Sequence, residues 1–581
     1  MNLSTYQQDI LKSRYLLPYE NTWEECVERV ATHISKVEQN DNIILWKNNF
    51  IEIMKDMDFI PGGRILYGAG RKSGAMLNCF INDVEDNRYS IAKFMSDMYL
   101  ISTSGGGLGA NYSKIRPKGF PIQNIQNLAP GVISEIKKID AIGEQIKCGG
   151  TRRVALLAGL EISHPDIPEF LNAKLDRNEL NNHNISVLIN NEFIKSVKKD
   201  KDWQFEFGNK KIGVPVKAKE LWNKIINSAI NSGEPGILFI DNIKENFSTG
   251  YFEEFVCTNP CGEILGSKLS SCCLGSINLS NMYDKDKNDV DWHKLSTTIR
   301  YAIRFLDNVV TMNNYPIPEC KTSAEQSRRI GLGVMGLHYL LIKLGLKYGK
   351  QKSLEFVERF FATFRNEAFE ASIDLSLEKG SFPMYDYEQF SSGNFVKNLP
   401  TRLLRKMKKN GIRNGMITTI PPTGTVSQLA NVSSGIEPIF APIYKRAYRK
   451  DDNIVEEVLV DSLFYEYYIN NQSLTNFISA YDISPEEHIA VQASIQQFID
   501  NSISKTVNLP ESYTNYEEIS DIIFEYSKHL KGITLYRQNS RGKEPLTEIK
   551  YKDKNELKGL ISKASNIVAP ESKCSTGQCE L

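Results

Sequence analysis

The sequence predicts a large α/β protein in which parallel strands alternate with helices. Three observations lead there. Short apolar, β-branched runs recur, as buried strands do: "RVALLAGLEI" at 153–162, "ISVLIN" at 185–190, "GILFI" at 236–240 and "GMITTI" at 415–420. Amphipathic helical stretches lie between them, such as "LEFVERFFATFRNEAFEASIDLSLEKG" at 354–380, closed by a glycine. The alternation continues over several hundred residues, the pattern of helices covering a parallel sheet.

In chain order, the first element is a helical lead-in. Residues 21–57 carry apolar side chains at helical spacing, so 1–60 reads as an N-terminal helical segment. Strands and helices alternate from 61 to 543, the main domain. From 544 to 581 the composition turns polar and charged and finishes in two cysteines, which reads as a flexible tail. A chain of 581 residues exceeds one small core. It divides into several domains or forms one large α/β barrel.

Composition excludes several classes. Apolar residues make up 41% and charged residues 24%, as in ordinary soluble proteins. Formal net charge is zero, which argues against a nucleic-acid partner. No apolar run is long enough to cross a membrane, and the N-terminus lacks a signal-peptide core. The expected compartment is the cytoplasm. Ten cysteines in such a chain do not make a disulfide scaffold; in a reducing compartment, clustered cysteines point to redox chemistry or metal. No C-x-x-C pair is present and there are seven histidines, so no metal site is expected.

Three glycine-rich stretches invite a ligand. In "MITTIPPTGTVSQLANVSSGIEP" (416–438) a strand leads through Pro421, Pro422, Thr423, Gly424 and Thr425 into a helix from Val426. Free N–H groups at a helix start attract an anion such as phosphate; an N-capped helix after a turn fits the same residues. "STSGGGLGANYSKIRPKG" (102–119) allows close backbone approach to a ligand, or a tightly packed turn. "CGGTRRVALL" (148–157) sets Arg152 and Arg153 beside two glycines. They suit phosphate or base contacts, and equally a surface loop.

The cysteines carry more. In "FVCTNPCGEILGSKLSSCCLGSINLSN" (255–281), Cys261 lies between Pro260 and Gly262, with Asn259 and Glu263 two residues away on either side. A carboxylate beside a thiol raises the thiol pKa. That opposes a thiolate nucleophile and suits a hydrogen-atom carrier beside a general base. A structural cysteine in a turn fits too, as it does for Cys79 in "GAMLNCFIND". Cys574 and Cys579 stand on a polar tail, where they can swing to a site and exchange with a disulfide.

Taken together, "NPCGE", "CCLGSINL", "PTGTVSQLANVSSGIEP" and "LNCF" resemble the catalytic subunit of ribonucleotide reductases. "SGGGLGANYSKIRPKG", "GGTRR…HPDIPEF" and "ITLYRQNSR" fall in that family's order. The resemblance spans roughly residues 10–545 plus the cysteine tail. It implies a ten-stranded α/β barrel of two parallel half-sheets, with a central finger loop carrying Cys261 as the radical cysteine. By the same resemblance, Glu263 takes the 3′-hydroxyl proton and Asn259 bonds the sugar. Cys79 and Cys272 become a disulfide as the 2′-carbon is reduced, and Cys574 and Cys579 re-reduce them at the expense of a thioredoxin-like protein. Cys272 is the better-aligned of the two adjacent cysteines for that place, with Cys273 as its competitor. The implied substrate contacts are Asn78, Cys79, Gly106, Asn259, Pro260, Cys261, Gly262 and Glu263. Pro422, Thr423, Gly424, Thr425, Val426 and Ser427 are expected at the phosphates of a ribonucleotide, taken here as a diphosphate.

The family divides by radical source. A relay through two adjacent tyrosines marks the members that need a separate metal-containing subunit. Here Tyr536 is followed by Arg537. "NPCGE" and "LYR" instead resemble the members that use adenosylcobalamin. The expected alternatives are a catalytic subunit with a metal-containing partner, and a nucleotide-binding homologue without turnover. The family's N-terminal ATP cone is expected to be absent. A homodimer with a deoxynucleotide or ATP specificity effector at its interface is implied by two matching loops, with Asn111, Arg152 and Arg153 as contacts. Asn111 stands where relatives often carry an acid.

Overall fold

Ten strands of one mixed sheet organise the molecule. The computed structural model describes residues 3–568 apart from 73, 124, 147–153, 177–178, 451–452, 542–545 and 565. The strands are β1 (Phe59–Pro61), β2 (Cys79–Asp83), β3 (Gly107–Asn111), β4 (Leu156–Glu161), β5 (His183–Ile189), β6 (Gly236–Phe239), β7 (Ser270–Asn278), β8 (Ile330–Met335), β9 (Thr506–Leu509) and β10 (Gly532–Arg537). β2 to β6 run parallel in sequence order. β7 with β8, and β9 with β10, form further parallel pairs. The two sets meet antiparallel at β2–β7 and at β6–β10. The result is two parallel half-sheets of opposite direction.

The regular ladder does not close between β8 and β9. Residues 415–420, expected as a strand, fill that position through isolated parallel bridges, Leu332 to Thr418 and Ile420 to Ile503. The reason lies in Asp500. Its buried carboxylate accepts hydrogen bonds from Ile417 N and Thr418 N, both at 2.7 Å, and from Thr418 Oγ1 at 2.8 Å. Amides that would face a strand carbonyl face a side chain instead.

The runs expected as strands at 153–162, 185–190 and 236–240 correspond to the strands Leu156–Glu161, His183–Ile189 and Gly236–Phe239. So does the long helix, Gln351–Lys379, which ends at Gly380 with φ +76°. The lead-in contains helices Thr5–Arg14, Trp23–Ile34 and Asn42–Lys55. Trp23, Val27, Val30 and Ile34 bury one face of the second against the barrel core. Among the described residues, no helix is long and apolar enough to cross a membrane.

The expectation of a flexible tail from 544 needs correction as far as residue 568. Leu546–Glu548 pairs with Ile443–Lys450, and Asn566–Val568 pairs with Asn453–Asp461. Together they make a four-stranded sheet beside the barrel, with helix Lys554–Ser562 between the last two strands in sequence. Leu546, Leu557 and Val568 are buried. Three apolar anchors in a polar stretch hold it in place, and average composition conceals them. Cys574 and Cys579 lie outside the described residues.

Candidate active site

A short hairpin enters the barrel between the half-sheets. Cys257–Thr258 pairs antiparallel with Leu265–Gly266, and 259–264 form the tip. Glycines on the barrel wall make room for it. A Cβ on Gly109 of β3 would sit 1.8 Å from Thr258 O, and one on Gly159 of β4 would sit 3.0 Å from Cys257 Sγ. At the tip, Asn259 N donates to Ile264 O (3.1 Å), and Ile264 N donates to Asn259 Oδ1 (2.9 Å). Gly262, at φ +84°, turns the chain in the left-handed region.

Both half-sheets pin the tip. Asn184 of β5 donates from Nδ2 to Pro260 O at 2.9 Å. From the other half, Ser502 N and Thr419 Oγ1 donate to Glu263 O at 2.9 and 2.8 Å. Asn259 and Glu263 are buried and Cys261 is half-buried. The finger therefore presents a thiol at a fixed point, flanked by an amide and a carboxylate.

Behind the tip stands a pair of thiols. Cys79 on β2 and Cys272 on β7 are direct partners across the antiparallel ladder, within the Cα separation a disulfide needs. Among the described residues no cysteine is in a disulfide. Cys79 Sγ accepts from Asn259 Nδ2 at 3.2 Å and lies 3.7 Å from Glu263 Oε1. Burial, then the Glu263 charge, hold the Cys79 thiol well above its usual range. Burial does the same to Cys272. Both thiols are kept protonated, as hydrogen donors require. Cys273 faces the opposite side of β7, where its Sγ donates to Leu306 O at 3.4 Å. Strand alternation thus assigns the pair to Cys79 and Cys272.

A cleft of about 1040 Å³, part of it open to solvent, runs along this group. Asn78, Cys79, Gly106, Asn259, Pro260, Cys261, Glu263 and Pro422, Thr423, Gly424, Thr425 and Val426 all line it. The 421–425 loop is held by Thr423, at φ +54°, whose Oγ1 accepts from Gly435 N at 2.8 Å. Helix Gly424–Ala430 follows. Ser427, expected at the phosphates, lies behind the loop. It is fully buried, its Oγ 2.9 Å from Gly424 O and 2.7 Å from Ser434 Oγ. Gly262, expected at the substrate, lines a different cleft.

The chain-level comparisons agree with this geometry. The family profile described as "Ribonucleotide reductase, barrel domain" matches residues 77–536, and "Ribonucleotide reductase, all-alpha domain" matches 1–74. The chain belongs to the ribonucleotide reductase family. It is 32% identical to a protein of Thermoplasma acidophilum named vitamin B12-dependent ribonucleoside-diphosphate reductase, across 97% of this chain and 74% of that one. A Mycobacterium tuberculosis protein (strain CDC 1551 / Oshkosh) of the same name is 30% identical, across 93% and 80%. The subunit alpha of a Chlamydia pneumoniae ribonucleoside-diphosphate reductase is 26% identical, across 80% of this chain and 52% of that one.

This ribonucleotide reductase catalytic chain has features that its sequence did not disclose. Tyr15 and the Gly62–Gly63 pair line the cleft; "PGG" was the one available signal. Half-buried Arg29 fixes that wall, donating to Tyr15 O, Leu66 O, Ala69 O and the Glu20 carboxylate. A second cleft, about 550 Å³, touches Cys261 from the side of β5, β6 and β10. Tyr536 is buried on β10, and Arg537 Nη2 donates to Asn231 Oδ1 at 3.0 Å. Asn111 lines neither cleft; its Oδ1 accepts from Ser113 N and Oγ. Arg152 and Arg153 lie outside the described residues.

Proposed function

We propose that this chain reduces ribonucleoside diphosphates to 2′-deoxyribonucleotides by thiyl-radical chemistry at Cys261, with adenosylcobalamin as radical source. One observation carries the reading. A single cleft brings Cys261 together with Asn259, Glu263 and Cys79, and Cys79 has the free thiol of Cys272 as its direct cross-strand partner. Binding alone needs none of these thiols.

The 421–426 segment holds the substrate phosphates, with backbone N–H groups from Thr423 to Val426 as donors. Asn259 orients the ribose. Cys261, as a thiyl radical, takes the 3′-hydrogen while Glu263 takes the 3′-hydroxyl proton. The 2′-hydroxyl leaves as water with a proton from Cys79. Cys79 and Cys272 together give two protons and two electrons and end as a disulfide, and Cys261 returns the 3′-hydrogen. One ribose C–OH and two thiols become one C–H, one water and one disulfide.

The second cleft fits the adenosyl end of the cofactor. Asn184 Oδ1 is buried there without a hydrogen-bond partner. A Cβ on Gly236 would sit 3.0 Å from Ser186 Oγ, and one on Gly532 would sit 3.0 Å from Leu238 Cδ2, so the glycines keep this floor open. Ser186, Asn184, Thr534 and Arg541 are the polar groups that would hold the ligand. When bound, adenosylcobalamin supplies an organic radical by homolysis of its Co–C bond.

The remaining assignments rest on sequence resemblance: Cys574 and Cys579 as shuttle to a thioredoxin-like protein, and Asn111, Arg152 and Arg153 as effector contacts in a homodimer. The deciding experiment is an anaerobic assay with adenosylcobalamin as sole radical source and a cytidine diphosphate or triphosphate substrate. Deoxycytidine diphosphate is the expected product, with Tyr536→Phe close to the parent. Activity only on adding a metal-containing subunit, abolished by Tyr536→Phe, would overturn the cobalamin assignment.

A further inference from the structure

The redox pair is built asymmetrically. β7 lies between β2 and β8, so Cys272 has a neighbour on each side. One is Cys79. On the other side the parallel ladder opens at Cys273–Ile330, and one step back places Arg329 beside Cys272. The Cys272 thiol leans toward that strand: a Cβ on Gly331 would lie 3.3 Å from its Sγ. Arg329 immediately precedes β8, two residues before Gly331.

Arg329 is an unusual cation. Its side chain is 0% exposed. Nη2 donates to the Glu253 carboxylate and, at 3.4 Å, to Thr249 Oγ1. Nε and Nη1 are buried and have no hydrogen-bond partner. Leaving donors of a buried charge unused is costly. The arrangement gains a purpose if negative charge develops nearby. Cys79 has the opposite surroundings: it lines the substrate cleft, beside the Glu263 carboxylate. Cys272 does not line that cleft.

We propose that Arg329 is a positioning residue that makes Cys272 the leaving thiolate when the oxidised pair is re-reduced, so that an incoming dithiol attacks Cys79. The inference rests on the redox-pair reading above. In the first step a dithiol thiolate bonds to Cys79 Sγ, the Cys79–Cys272 bond breaks, and its electron pair leaves on Cys272 beside the guanidinium. In the second, the other dithiol sulfur attacks the mixed disulfide and Cys79 departs. The two thiol protons of the dithiol end on Cys79 and Cys272, and the dithiol is oxidised by two electrons. Exchange is faster when the departing sulfur is the better-stabilised thiolate. Burial, then Cys273, raise the Cys272 thiol, with Glu263 and Asp500 adding to them, and Arg329 is the cation that opposes them; at Cys79 burial and then the Glu263 charge raise the thiol with no cation opposing.

The test uses the full chain with Cys574 and Cys579 changed to serine, so that only an added thiol can attack. Diamide oxidises the pair, 2-mercaptoethanol is added, and free thiols are trapped in acid for peptide mass spectrometry. Absence of a Cys79–Cys272 disulfide at that stage would sink the underlying redox reading. With the disulfide present, the expected mercaptoethanol adduct is on Cys79 and the trapping label on Cys272. Arg329→Gln should slow the step about tenfold and spread the adduct over both cysteines, while Arg329→Lys keeps most of the rate. Glu253→Gln, which leaves Arg329 without its counter-charge, should speed the step severalfold and serves if Arg329→Gln does not fold. An adduct mainly on Cys272, an unaltered rate and adduct pattern in Arg329→Gln, or no acceleration in Glu253→Gln would overturn the proposal.

Discussion

At the residue scale, the thiols differ by what surrounds them rather than by their chemistry. Cys261 is half-buried at a tip pinned from both half-sheets. Cys261→Ser should abolish deoxynucleotide formation while nucleotide binding by equilibrium dialysis stays near the parent's. An alcohol O–H bond is much stronger than a thiol S–H bond, so the hydrogen relay stops. Multiple turnovers by the serine variant would refute the assignment. Cys272 and Cys273 make a sharper contrast, since one backbone step separates them. Cys272→Ser should eliminate even one turnover of product, whereas Cys273→Ser should retain it, because Cys273 Sγ bonds Leu306 O on the far side of the strand. Equal loss in both variants would count against the cross-strand pair.

At the element scale, the finger depends on the wall that receives it. Gly109 lies on β3 where an added methyl would overlap Thr258 O. Backbone cannot rotate out of the way as a side-chain end can, so the hairpin must shift. Gly109→Ala should cost about 1–3 kcal/mol of stability, as overpacking does, and should lower turnover by more than the folded fraction explains. Thermal unfolding together with rates normalised to folded protein would check this. A variant with parent-like turnover would show that the finger tolerates displacement. The same reasoning explains the glycine-rich stretch 102–119. At Gly109 the close approach is made by the protein's own finger rather than by a ligand.

At the scale of the whole molecule, the pieces of the site come from distant parts of the chain. β2 supplies Cys79, β7 supplies Cys272, and the 421–425 loop lies beyond the unladdered segment held by Asp500. The tail adds a further element, since its root is tied into the four-stranded sheet by Asn566–Val568. With Cys574 and Cys579 changed to serine, one turnover from the reduced pair should survive and thioredoxin-driven cycling should stop. Dithiothreitol, small enough to enter the cleft, should restore cycling. Full thioredoxin-supported turnover in that variant would remove the tail from the pathway.

The sequence alone determined the strand and helix alternation, because apolar runs and amphipathic periods are local properties of the chain. It also determined the motif "NPCGE" and, through resemblance, the family, the finger and most cleft residues. Three things required the tertiary structure. The resemblance favoured Cys272 over Cys273, but the physical reason, which face of β7 looks toward Cys79, is visible only in the structure. Placing Ser427 behind its loop depends on Ser434, which claims its hydroxyl. The neighbours Tyr15 and Arg329 come from segments without a motif, and only folding brings them to the cleft and to Cys272. Local pattern fixes what a segment can become; which side chains meet is decided by register and packing across segments far apart in the chain.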